Sequence, residues 1–325
     1  MKNIFITGGA GYVGSVLTPY LLSKNYNVTV FDLFIYGETL KKHKNLKIIK
    51  GDLRDNILLK KSLEGQDQVI HLACISNDPS FELNPKLGKE INLDSFEPLV
   101  ANSKNAGVKR FVYASSSSVY GIKEEKNVSE DMSLEPLTDY SKFKAKCEKI
   151  LFKYKSDDFI ASVIRPATVC GYSPRQRLDL VVNILSNLAY HKREISVFGG
   201  NQLRPNIHIK DMVRAYLKIL ESPINKIAGE VFNVGYENMK VLDIAYLVKK
   251  IINPNINIKI LDTNDNRSYH ISSNKITTHL NFISKFTVSD AIKDIKDAFD
   301  DGNFINSLEN EMYFNIKRMN SINLQ

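Results

Sequence analysis

Asn3-Ile4-Phe5-Ile6-Thr7-Gly8-Gly9-Ala10-Gly11-Tyr12-Val13-Gly14 stands at the front of the chain. An apolar run that breaks into glycines at 8, 11 and 14 reads as a strand, a tight turn and the start of a helix. Glycine removes side chains where a backbone must pass close to a pyrophosphate. The helix N-terminus supplies N–H donors and the positive end of its dipole. Tyr12 and Val13 lie within the same turn. Asp32 closes the next apolar run, Asn27-Val28-Thr29-Val30-Phe31, 18 residues after Gly14. That spacing suits a carboxylate that holds the ribose hydroxyls of a dinucleotide. Such a carboxylate repels a 2′-phosphate, which favours NAD as cofactor. Lys41 and Lys42, close by in sequence, keep NADP as the weaker alternative. Taken alone, Asp32 also reads as a strand-end turn residue.

A length of 325 residues allows one large or two moderate domains. Hydrophobic content of 43% and charged content of 25% are ordinary for a globular protein. No apolar run approaches the roughly 18 residues that span a bilayer, and no signal peptide fits before a strand that begins at residue 3. Cys74, Cys147 and Cys170 are widely spaced and odd in number. They fit neither a disulfide framework nor a zinc site, so no metal is expected and a cytoplasmic, reducing compartment is. The net charge of +8 either attracts diphosphate-bearing ligands or belongs to lysine-rich solvated faces, and the second reading is preferred. The lysines are scattered and no basic run alternates with aromatics, so neither nucleic acid nor membrane is an expected partner.

Working outward, the first half alternates strand-like and helix-like segments, the pattern of a parallel sheet with crossover helices. Strands are expected at 3–7, 27–31, 46–50, 68–72, 109–114 and 159–165, and helices at 12–24, 54–64, 85–106 and 140–155. Pro19 falls inside the first helix and should cost it a hydrogen bond and kink it. After Pro166 the pattern loosens. Helices are expected at 178–191, 211–222, 241–252, 288–299 and 303–318, with short strands near 195–198, 204–209, 230–234 and 256–261. The fold expected is a Rossmann-type α/β architecture, a doubly wound parallel sheet over residues 1–166 with a return near 230–240. A smaller α/β substrate-binding lobe takes residues 167–325. Ligands bind such sheets at the carboxyl ends of the strands.

Tyr140 and Lys144 are four apart at the start of a helical segment, which puts both on one face. The reference pKa of tyrosine is about 10. A unit positive charge about 4 Å away, at an effective dielectric near 20, is worth about 4 kcal/mol. That is roughly three pKa units. Lys144, helped by a nicotinamide cation, is therefore expected to bring Tyr140 near neutrality, where it exchanges a proton with a sugar hydroxyl. YxxxK also arises by chance in lysine-rich chains. Upstream, Arg110-Phe111-Val112-Tyr113-Ala114 runs into Ser115-Ser116-Ser117-Ser118-Val119-Tyr120-Gly121, a strand that ends in four serines. A hydroxyl there can bond a reacting oxygen, although most of the four are expected to cap backbone groups.

Together these segments resemble the extended short-chain dehydrogenase/reductase family, in particular its nucleotide-sugar epimerases and dehydratases. The resemblance runs over nearly the whole chain. It includes the glycine turn at 7–14, Asp32, GDLRD at 51–55, HLA at 71–73, Asn92, the serine run at 115–121, Tyr140 with Lys144, RPATVCG at 165–171, the segment from Arg204 to Asp211, and NVG at 233–235. It implies that Gly8, Gly11, Gly14 and Asp32 bind the cofactor. Asp52 and Leu53 then flank the adenine, and Leu72, Ala73 and Cys74 line the cofactor's path. Tyr140 becomes the base, Lys144 its partner on the nicotinamide ribose, and Ser116 the catalytic hydroxyl. The resemblance also implies a homodimer joined through helices 85–106 and 140–155.

The family's 4,6-dehydratases carry an Asp and a Glu where this chain has Ser117 and Ser118. A hydroxyl does not take over the work of a carboxyl pair in eliminating water, so a 4,6-dehydratase is not expected, and Ser117 is assigned to the substrate. Ser173-Pro174-Arg175-Gln176-Arg177-Leu178-Asp179-Leu180 also resembles a subgroup that includes C4 dehydrogenases of GDP-linked heptoses. Arg175 and Arg177 are candidates for a diphosphate, as are Arg204 and Arg267, although an exposed loop is the alternative for some of them. Asp211 is expected as a helix N-cap and His208 as structural. The leading expectation is a nucleotide-sugar 4-epimerase. A net C4 dehydrogenase or 4-keto reductase comes second and a non-catalytic NAD(P)-binding sensor third.

Overall fold

β1 (Asn3–Thr7) pairs in parallel with β2 (Asn27–Asp32) on one side and β4 (Gln68–His71) on the other. In the computed structural model, which describes residues 2–125, 127–263, 268 and 270–324, these three strands sit within a seven-stranded parallel sheet. Its order is completed by β3 (Leu46–Lys50) beyond β2, and by β5 (Arg110–Ala114), β6 (Ile160–Pro166) and β10 (Val231–Val234) beyond β4. The chain winds outward from β1 to β3, then crosses back to β4 and winds the other way. The reversal lies between β1 and β4, and the crevice at their carboxyl ends is where a doubly wound sheet takes its ligand. β1, β4 and β6 read as continuous apolar runs because both faces of a parallel sheet are covered by helices.

Two smaller sheets lie after β6 in the chain. They are a three-stranded sheet of β7 (Thr168–Cys170), β9 (Leu203–His208) and β11 (Glu237–Lys240), and a two-stranded sheet of β8 (Glu194–Phe198) and β12 (Asn257–Leu261). Helices Val181–His191, Val241–Ile252 and Val288–Asp300 enclose their apolar core.

Three expectations are corrected. The segment 85–106 is not one helix. It runs as Pro85–Lys89, a π turn over Glu90–Asp94, and Phe96–Asn105. Within the π turn, Asn92 is buried, accepting from the Ile75 N–H at 2.8 Å and donating to the Ile75 carbonyl at 2.9 Å. The segment 303–318 holds only a single turn at Glu311–Tyr313 and a helix over Asn315–Ser321, because Asn306 adopts the left-handed region at φ 51° and Asn310 caps the short turn. The helix at 209–221 is capped by His208, whose Nδ1 accepts from the Lys210 N–H at 3.0 Å. Asp211 lies one turn inside it, fully buried, accepting from the backbone of Lys285 and Phe286 at 2.7 and 2.8 Å. The first helix runs Gly14–Ser23 with Pro19 inside it, where the missing N–H costs the expected hydrogen bond.

Candidate active site

Glycines 8 and 14 are required by contact inside the protein. A Cβ on Gly8, which has φ 72°, would stand 2.6 Å from the Ala73 nitrogen, and one on Gly14 would stand 2.4 Å from the Gly8 carbonyl. Gly8 is thus the point where the turn after β1 crosses the turn after β4. Gly11 differs: a Cβ there would meet only the Gly8 carbonyl, at 3.2 Å, and would otherwise project into open space. Gly11 lines a cleft of about 540 Å³ at the strand switch point. A bare backbone at a helix N-terminus facing a cleft is the cradle that a pyrophosphate needs, so the residues present fit a dinucleotide.

Asp32 ends β2 beside this cradle. Its Oδ2 accepts from the Ala10 N–H at 2.9 Å and its Oδ1 from the Phe34 N–H at 2.8 Å. Burial raises the carboxyl's pKa, while these two donors and Arg175 act against it. The side chain therefore fixes the glycine turn while it lines the cleft. Tyr12, Val13, Asp52, Leu53, Leu72, Ala73 and Cys74 line the same cleft. Asp52 is also engaged on its own loop, where Arg54 forks onto it at 2.8 Å.

Tyr140 and Lys144 lie on the helix Asp139–Tyr154. Thr138 caps it reciprocally with Ser141, and Phe143, Cys147 and Leu151 face inward, so the two polar side chains are delivered to the ends of β5 and β4. Lys144 is buried, its Nζ donating to the Ala114 carbonyl at 2.7 Å and lying 5.7 Å from the centre of the Tyr140 ring. Ser116 lies close enough to the Tyr140 side chain to draw its phenol down. Its hydroxyl also meets that of Ser118 at 2.8 Å and accepts from the Ser118 N–H at 3.1 Å. Ser115 turns away to Glu148, while Ser117 and Ser118 line the cleft.

Burial holds the Tyr140 phenol well above the usual tyrosine range, assisted by Cys74 and Asp78, and the groups that draw it down are Arg177 and Ser116. Lys144 spends a donor on Ala114 rather than on the phenol. In the protein alone Tyr140 is therefore a neutral proton donor, and a further positive charge in the cleft is needed to make it a base. His71, at the end of β4, does not compete for that task. Burial pulls it down to about 3, and its Nδ1 lies 2.6 Å from the Thr7 hydroxyl.

The arginines divide. Arg177 is buried beside Ser76 and Asp179, at 3.1 and 2.9 Å, close enough to act on Tyr140. Its Nη2 has no partner among the described residues. Arg175 is stacked on Tyr36 and lies near Asp32. Arg204 lines the cleft from β9. Arg267 lies outside the described residues. Reading the sequence missed Ser76, Asp78, Tyr36 and Asn315 as cleft-lining residues. Asp179 stood in a quoted segment but was given no role. Among the described residues no cluster of His, Cys, Asp and Glu could hold a metal ion, and no helix is long and apolar enough to cross a membrane.

A family model described as the NAD dependent epimerase/dehydratase family matches residues 4–235. A Bacillus subtilis protein described as an uncharacterized UDP-glucose epimerase is 35% identical over 265 residues, covering 77% of this chain and 82% of its own length. A dTDP-D-glucose 4,6-dehydratase of Dictyostelium discoideum is 31% identical over 280 residues, covering 79% of this chain and 63% of that one. Among solved structures, the UDP-glucuronic acid 4-epimerase of Bacillus cereus, in complex with UDP-glucuronic acid and NAD, superposes with a TM-score of 0.83 at 28% identity. The match covers 92% of this chain and 99% of that one.

Proposed function

This chain belongs to the NAD-dependent epimerase/dehydratase family of enzymes, and from that premise we propose that it is a nucleotide-sugar 4-epimerase. The observation that carries the reading is that Tyr140 and Ser116 line the same crevice, near enough for Ser116 to act on the phenol, with two further serines where a dehydratase needs carboxyls. When bound, NAD supplies a reversible two-electron acceptor for the C4 carbon–hydrogen bond and the positive charge that the phenol lacks. Tyr140 takes the proton of the C4 hydroxyl, and Ser116, steadied by Ser118, holds the same oxygen. Lys144 remains anchored to Ala114 and keeps donors for the nicotinamide ribose. The 4-keto sugar turns over, and Tyr140 returns its proton as C4 is reduced from the other face.

In the same reading Gly8, Gly11, Gly14, Tyr12, Val13 and Asp32 hold the pyrophosphate and adenosine ribose, with Asp52, Leu53, Leu72, Ala73 and Cys74 along the cofactor. Ser117, Arg177, Arg204 and Arg267 serve the substrate. Arg177 and Asp179 bring a fixed dipole to the sugar end, which suits a polar hexose. A homodimer through the helices at 85–105 and 139–154 is part of the proposal, and light scattering that gave only monomer would remove it.

The test is to supply the NAD-loaded protein with UDP-glucose, UDP-glucuronic acid, dTDP-glucose and GDP-mannose in turn. The C4 epimer should form without net NADH. Matching net NADH would favour instead the C4 dehydrogenase reading that the Ser173–Leu180 segment suggests, and a 4-keto-6-deoxy product would restore the dehydratase.

A further inference from the structure

Arg175 is a buried cation that the chemistry at C4 does not use. Its backbone is docked on the start of the first helix. Ser173 Oγ donates to the Tyr12 carbonyl at 2.7 Å, and the Arg175 N–H donates to Ser15 Oγ at 3.3 Å. The side chain is only 4% exposed. Its guanidinium carbon stands 3.5 Å above the centre of the Tyr36 ring, a stacked cation–π contact. Nη2 donates to Asn315 Oδ1 at 2.7 Å, which ties the side chain to the C-terminal helix. Nε has no partner among the described residues. Burial lowers the guanidinium to about 10, so it is still charged at neutral pH.

An unpaired donor on a buried charged group is costly unless an acceptor arrives. Arg175 lines the cleft, stacked on Tyr36 in the loop that follows β2, and it is within electrostatic reach of Asp32 as well as of Arg177 and Asp179. Asp32 and Tyr36 belong to the strand end and loop where the adenosine half of the dinucleotide is expected.

We propose that Arg175 is a cofactor-binding residue delivered by the second lobe, its Nε donating to a ribose-phosphate oxygen on the adenosine half of NAD rather than to the diphosphate of the sugar. The inference rests on the reading that this cleft holds NAD. Both lobes then grip the cofactor, and Asn315 couples the C-terminal helix to that grip. A cofactor clasped in this way stays with the protein from one turnover to the next, as an epimerase requires.

The experiment is calorimetric titration of the full chain, freed of nucleotide, with NAD and with ADP-ribose. Arg175→Met should weaken both by about tenfold or more, equal to about 1.4 kcal/mol. Arg175→Lys, which keeps the charge and loses the fork, should recover only part of that. ADP-ribose affinity within twofold of wild type, or a loss confined to UDP-glucose and dTDP-glucose, would overturn the proposal. If Arg175→Met does not fold, Tyr36→Leu removes the stacking ring and is read by the same two constants. Wild-type protein that bound neither ligand would overturn both readings. Arg175-dependent binding without any sugar turnover would sink the epimerase reading alone and support this one.

Discussion

Replacing Glu148 by Gln removes the negative half of a buried pair that seats the Tyr140 helix. Glu148 follows Lys144 by one turn. Its carboxylate accepts from Arg165 Nε at 3.0 Å and Nη2 at 2.7 Å, and also from the Ser115 hydroxyl. The two side chains are 4% and 5% exposed. Arg165 cannot shed its proton, so the variant leaves a guanidinium in the interior with no carboxylate against it, answered only by neutral acceptors: the new amide oxygen, Tyr120 and the Glu130 carbonyl. Breaking one side of such a pair costs about 3–5 kcal/mol. At about 2 °C per kcal/mol for a large domain, the melting temperature should fall by roughly 6–10 °C. The double variant Glu148→Gln/Arg165→Met carries no stranded charge and should recover most of the loss. Scanning calorimetry of the three proteins decides it. A fall under about 2 °C, or a double variant as unstable as the single, would refute the reasoning.

Asp32→Asn keeps an acceptor for the glycine turn but loses the charge, so NAD affinity should fall by roughly tenfold or more while NADP falls less, narrowing the preference in a calorimetric comparison. Ser116→Ala removes one hydrogen bond to the reacting oxygen and the hydroxyl that draws the Tyr140 phenol down. It should lower kcat by roughly 10–100-fold, with retained NAD per chain unchanged on denaturation and nucleotide assay. Because burial raises the phenol of Tyr140, turnover should rise with pH as the base form appears. Cys74→Ser removes one group that raises it further and should shift that rising limb to lower pH in a kcat/KM profile.

The strands of the large sheet were legible because a strand covered on both faces reads as an unbroken apolar run, as Val69-Ile70 and Ile160-Ala161 do. The switch point was legible because Gly8 and Gly14 have no room for a side chain. Tyr140 and Lys144 could be grouped from helical spacing, whereas Ser116 was set apart from its neighbouring serines only by the family resemblance. The short strands β7 and β11 carried no such signal, since three or four half-buried residues have too little pattern to separate from a loop. The π turn at Glu90–Asp94 was hidden inside good helix formers. The direction of Arg175 was out of reach for another reason. It depends on Ser173 meeting Tyr12 and on Asn315 meeting Arg175 across 140 residues of sequence, contacts that only the folded chain brings together.

The most direct measurement is turnover by Tyr140→Phe, loaded with NAD, on whichever nucleotide-sugar the wild type converts. The account predicts NAD retained at the wild-type stoichiometry and a rate lower by at least about 10²–10⁴-fold, the contribution of a positioned acid–base group. A variant that kept its cofactor and turned over within a few-fold of wild type would contradict it.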